Sequence, residues 1–128
     1  MVRALCRRFR VPNDYRDLAV LVAQYHSHCH RAAELRATTL LDTLERLDVF
    51  RRPERLELFL AACEADSRGR TGYEQRPYPQ AQIFRRAFQA AIGVDGAALA
   101  GGDLTGPAIA EAIRQQRLAA IRAARAAA

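Results

Sequence analysis

Apolar residues recur at helical spacing through most of this chain, and prolines and glycines cut the pattern into short lengths. Leu18, Leu21, Val22, Tyr25 and Cys29 fall on one face of a helix, three, four, seven and eleven residues from the first. No segment alternates apolar and polar residues as a half-buried strand does, and no internal repeat is present. The pattern predicts an all-α fold: an irregular bundle of about six helices forming a single helical domain over residues 1–128.

The punctuation sets the expected ends. Residues 2–9 read as the end of a first helix, which Pro12 stops, and Asn13 can cap the next. A third helix starts near Thr38 or Thr39, whose hydroxyls can cap it, and carries Leu40, Leu41, Leu44 and Leu47. Pro53 suits the first turn of a fourth, which buries Leu56, Phe59, Leu60 and Cys63 and ends near Gly69. Residues 70–78 form a loop, and Pro79 opens a fifth helix with Ile83, Phe84, Ala87, Phe88 and Ala91 on its inner side. Gly93, Gly96, Gly101 and Gly102 punctuate the next stretch, and the last helix starts at Pro107. Its Ile109 and Ile113 share a side, but Leu118 and Ile121 fall among Arg114, Arg117, Arg122 and Arg125. The apolar stripe is expected to stop there, leaving the end to fray or to dock on a surface outside the chain.

Charge narrows the partner. The net charge is +6, the pI is about 10.0, and all 20 basic residues are arginine. Guanidinium forks contact phosphate in bidentate fashion and stack on bases, so a basic, all-arginine surface favours RNA. An Arg-for-Lys bias in the coding sequence gives the same usage, but the net positive charge does not depend on it. No apolar run approaches the roughly 18 residues of a membrane span, and Met1–Arg8 lacks the apolar stretch of a signal peptide. The expected compartment is the cytoplasm. Cys6, Cys29 and Cys63 form no CxxC pair, so Cys29 and Cys63 read as small buried hydrophobes.

The run Cys63-Glu64-Ala65-Asp66-Ser67-Arg68-Gly69-Arg70-Thr71-Gly72-Tyr73-Glu74 is the most distinctive in the chain. With Arg10-Val11-Pro12-Asn13, Arg51-Arg52-Pro53-Glu54-Arg55, Tyr78-Pro79-Gln80 and Leu104-Thr105-Gly106-Pro107, it resembles, in collinear order, the C-terminal part of the bacterial multifunctional CCA proteins, a family of CCA-adding tRNA nucleotidyltransferases. The resemblance implies a helical, tRNA-contacting body: residues 1–50 as the second half of an HD-type phosphohydrolase region, and residues 51–128 as C-terminal helices. It implies a parent that adds CCA to tRNA 3′ ends from CTP and ATP with magnesium. An HD region in that parent would hydrolyse 2′,3′-cyclic phosphates with nickel or magnesium. The nucleotidyltransferase head, with its strand-turn glycines and paired aspartates, is not written in this sequence. The expectation is therefore no catalytic residue and no cofactor in this chain, with tRNA, the missing N-terminal half or a second subunit as partners, and no membrane.

Two groups of side chains have alternative readings. The family's later His-Asp position corresponds to His26-Ser27, so a hydroxyl stands where a carboxylate ligand is expected. His26 and His30, one turn apart, can face the same side and hold a metal weakly, while His28 points away; the alternative is a histidine cluster favoured at a helix C-terminus. Glu64 with Arg68, and Asp66 with Arg70, can staple the helix end as i,i+4 pairs. Alternatively, Arg68 and Arg70, with the amides around Gly69 and Gly72, cradle an RNA phosphate. The turn at Thr105-Gly106-Pro107 is a second candidate anion site, and Arg114 and Arg117 complete the expected RNA-facing set. A residual metal-dependent phosphohydrolase and a structural domain that needs another chain are the competing functions.

Overall fold

The computed structural model describes residue 2 and residues 13–69, 72, 74–96 and 105–127, with the side chains of 13 and 14 excepted. Among the described residues the fold is all-α, with five α-helices and one 3-10 turn and no strand. The helices are α1 (Asn13–His30), α2 (Ala37–Arg46), α3 (Glu54–Arg68), α4 (Gln80–Ile92) and α5 (Gly106–Ala127), with the 3-10 turn Ala32–Glu34 between α1 and α2. Five rather than about six are therefore seen; the helix expected over residues 2–9, like Cys6, Arg70, Gly101 and Gly102, lies outside the described residues save for residue 2.

The ends follow local chemistry, with differences. Pro53 and Pro79 stand immediately before α3 and α4, where a missing N–H costs no hydrogen bond, and Glu54 and Glu57 place negative charge in the first turn of α3. Helix α2 starts at Ala37, earlier than expected, with Arg36 preceding it and no side-chain cap. Neither Thr38 nor Thr39 caps it; Thr39 instead gives its carbonyl to the Thr43 hydroxyl at 2.8 Å. Asp48, with φ of 60°, turns the chain after α2, a conformation that an aspartate tolerates better than most residues. Its carboxylate then accepts from Arg51 Nε and Nη2 at 3.0 and 2.6 Å.

The core is built from Leu40, Leu41, Leu44 and Leu47 of the α2 region, Phe59 and Leu60 of α3, and Phe84 of α4, all at or near zero exposure. Phe59 and Phe84 meet edge to face with centroids 6.3 Å apart. Helix α5 lies chiefly along α4 and also reaches α2, while α1 lies chiefly along α3.

The expectation for the last helix is corrected here. Leu118 and Ile121 are buried, at 4% and 0% exposure, so the stripe does continue. At about 100° per residue, Arg114, Arg117 and Arg125 lie between Ile109 and Leu118 around the helix. These arginines sit on the docked face: their stems cover apolar surface, and their guanidinium groups reach acidic, aromatic or carbonyl partners on other elements.

Candidate nucleic-acid interface

The end of α3 carries the distinctive run. Arg68 lies 3.0 Å from Glu64 one turn back, and its Nε donates to the Arg76 carbonyl at 2.9 Å. Arg68 therefore ties the helix end to the chain that returns toward α4. Gly69 follows in right-handed geometry (φ −71°, ψ −8°), so its left-handed freedom is not used. The positive φ falls at Gly72, at 91°, and the Gly72 amide donates to Glu74 at 3.0 Å. A carboxylate already holds the amide that was a candidate phosphate donor. Arg70, the other half of that cradle, lies outside the described residues.

Asp66 turns toward α1. His30 Nε2 lies 2.8 Å from Asp66 Oδ2, and His30 Nδ1 lies 2.8 Å from the Tyr78 hydroxyl. That hydroxyl also reaches Cys29 Sγ at 3.2 Å, and Cys63 hydrogen-bonds Cys29 in turn. Hydrogen bonds from Cys63 and Tyr78 lower the Cys29 thiol pKa against the effect of burial, whereas the bond to Cys29, then burial, raises that of Cys63. Burial, then the bond to Cys29, raises Tyr78. The Tyr78 hydroxyl has one hydrogen to give. When His30 is neutral, Nε2–H donates to Asp66 and Nδ1 accepts from Tyr78. When it is an imidazolium, both nitrogens donate and the hydroxyl turns to Cys29. His30, Asp66, Ser67, Arg76 and Gln80 line a cleft of about 250 Å³ over this chain of contacts.

His26 and His30 do share a side, with ring centroids 5.8 Å apart, and His28 turns to Tyr25. His26 Nδ1 faces the Val22 and Ala23 carbonyls at 3.0 and 3.1 Å, as a donor. A metal here has only His26 Nε2 free, because both His30 nitrogens are engaged. Among the described residues no three His, Cys, Asp or Glu side chains converge. The donor set does not fit a held divalent ion.

Arg114 and Arg117 look inward. Arg114 reaches Asp42 at 2.6 Å through Nη2 and Glu45 through Nη1, tying α5 to α2. The bond to Asp42, then Glu45, raises its pKa further. Arg117 sits 3.9 Å above the Phe50 ring, and its buried Nε has no hydrogen-bond acceptor, so desolvation lowers its pKa. At the start of α5 the Thr105 hydroxyl accepts from the Ala108 amide at 3.4 Å, a helix cap at the second candidate anion site.

Other arginines stay open. Arg36 and Arg122 are exposed, their side chains make no hydrogen bond or ion pair among the described residues, and with Ala37, Thr38 and Arg125 they line an open cleft of about 470 Å³. Arg125 donates to the carbonyls of Leu35 and, at 3.5 Å, of Ala33. It also borders a second cleft, of about 180 Å³, floored by Ala33, Ile83, Ala87, Ile121 and Ala124 and flanked by exposed Arg86. No signal in the sequence separated these arginines from those that fold inward.

Among the described residues this is a helical segment whose candidate sites are the cleft at His30 and Asp66 and the basic clefts along α2, α4 and α5. Its relatives are specific. The chain is 56% identical over 122 residues to the Multifunctional CCA protein of Thioalkalivibrio sulfidiphilus, covering 95% of this chain and 30% of that protein. It is 55% identical to that of Nitrosococcus oceani over 97% of the chain, and 54% identical to that of Methylococcus capsulatus over 98%, each again 30% of the relative. The chain thus spans about 30% of the length of the curated relatives it matches, consistent with a C-terminal portion of such a protein. No protein-family model and no solved structure matches it. No described helix is long and apolar enough to cross a membrane.

Proposed function

We propose that this chain is the C-terminal helical, tRNA-contacting part of a cytoplasmic protein that adds CCA to tRNA 3′ ends from CTP and ATP. The observation that carries this is identity of about 55% with proteins named Multifunctional CCA protein across 95–98% of the chain. The +6 charge and the open arginines Arg36, Arg86 and Arg122 support a polyanionic partner. In this reading magnesium serves nucleotidyl transfer in a head outside these residues. Nickel or magnesium would serve an HD-type region, to which His26 and His30 contribute no complete site.

The test is titration of a labelled tRNA transcript with the 128-residue chain. Saturable binding that salt reverses is expected, with no incorporation of CTP or ATP into tRNA lacking its CCA end. Absence of binding at low salt would sink the tRNA reading, and incorporation by a preparation free of host enzyme would refute the assignment of chemistry to a separate head.

A further inference from the structure

Among the described residues, the clefts at His30, Arg85 and Arg114 carry a carboxylate in their walls: Asp66 beside His30, Glu57 beside Arg85, and Glu45 with Glu111 beside Arg114. In each, a basic group has an anionic neighbour that offsets it. The cleft of Arg36, Thr38, Arg122 and Arg125 and the adjoining cleft of Arg86 and Arg125 have no carboxylate among the described residues that line them. They share Arg125, so they form one continuous surface with four guanidinium groups. Glu34, on the neighbouring 3-10 turn, is neutralised by Arg31 at 2.9 Å.

The four arginines come from three places in the chain, the start of α2, α4 and the end of α5, and are held differently. Arg125 is fixed by the Leu35 and Ala33 carbonyls, which do not neutralise its charge. Arg36, Arg86 and Arg122 are exposed, and their side chains make no hydrogen bond or ion pair among the described residues, which leaves their guanidinium donors open to a ligand. The first turn of α2 has no side-chain cap and opens into the same cleft. Between Arg86 and Arg125 the floor is apolar, which suits the face of a ribose or base beside the phosphates.

We propose that the surface running from Arg36 and Arg122 across Arg125 to Arg86 binds the phosphodiester backbone of RNA, and that it, rather than the end of α3, makes the contacts of this segment. The proposal rests on the tRNA reading above and names the residues that serve it. Phosphate contacts of this kind position an RNA without reading its sequence, so binding is salt-dependent and tolerant of sequence.

The experiment compares three forms of the chain by fluorescence anisotropy with a labelled tRNA transcript. These are the native chain, the triple variant Arg36→Ala, Arg86→Ala, Arg122→Ala, and a charge-matched control Arg46→Ala, Arg51→Ala, Arg55→Ala. The surface triple should bind about tenfold or more weakly near 100 mM salt, and its log–log salt slope should shrink by about 2, as three lost contacts require. The control should stay within about threefold of native. Arg36, Arg86 and Arg122 hold nothing in the fold, so thermal melting of the surface triple should overlay the native curve. Arg122→Glu alone should weaken binding several-fold, a readout independent of the triple. Equal losses in both triples, or native affinity in the surface triple, would overturn the surface while leaving the tRNA reading standing. No binding by the native chain would overturn both.

Discussion

His30 Nε2 and Asp66 Oδ2 meet at 2.8 Å although 36 residues separate them, and the same imidazole reaches the Tyr78 hydroxyl at 2.8 Å through its other nitrogen. One ring therefore joins the end of α1, the end of α3 and the chain entering α4. Gln80 adds a third tie by donating to the His30 carbonyl at 3.1 Å. The His-rich stretch acts here as a junction between helices.

That junction predicts a stability effect. Tyr78→Phe removes the hydroxyl between His30 and Cys29 and should cost about 1–2 kcal/mol, the usual range for a buried hydrogen bond lost with its partners left in place. His30→Ala should cost at least as much. A double-mutant cycle on chemical denaturation should give a coupling of about 0.5 kcal/mol or more between the two. Strict additivity would show that the bond carries no energy.

The inward-turned arginines predict a separation of stability from binding. Arg117→Ala should lower stability by about 1–2 kcal/mol, because the partly desolvated guanidinium loses the Phe50 face and its stem leaves the docked side of α5. Arg114→Ala should cost up to about 1 kcal/mol, since its carboxylate partners remain substantially exposed. Neither change should alter tRNA affinity more than about twofold beyond the general effect of one lost charge. A tenfold loss of affinity with unchanged melting would place these side chains on the RNA instead.

Much of the fold was legible in the sequence because prolines and helical spacing report directly on helix ends and inner faces. Pro53, Pro79 and the apolar sets beginning at Leu40, Leu56 and Ile83 do this. The last helix was not legible. Arginine ordinarily marks a solvated face, yet Arg114 and Arg117 lie on the docked side because Asp42, Glu45 and Phe50 meet their heads, and Arg125, itself exposed, reaches back to the Leu35 carbonyl. Those partners lie 67 to 90 residues away in the chain, and helical periodicity carries no information at that range. The same limit hid the open arginines, since exposure of Arg36 and Arg122 depends on what the neighbouring helices fail to offer them.

The histidine cluster predicts an absence of chemistry that is open to direct test. With His30 committed at both nitrogens and Ser27 in place of a carboxylate, this chain should not hydrolyse a 2′,3′-cyclic nucleotide, even with excess nickel. Turnover in the native chain that disappears in His26→Ala would promote the phosphohydrolase reading. Ser27→Asp alone should not produce activity, because one added carboxylate does not free the His30 nitrogens.

The central claim is that this helical segment holds tRNA through a few phosphate contacts, and the salt dependence of tRNA binding tests it most directly. The association constant of the 128-residue chain for a tRNA transcript, measured from about 50 to 300 mM monovalent salt, should fall linearly on a log–log plot. A slope of about −2 to −4 is expected, as release of counterions from a few phosphates requires. Affinity that stays flat across that range would contradict the account.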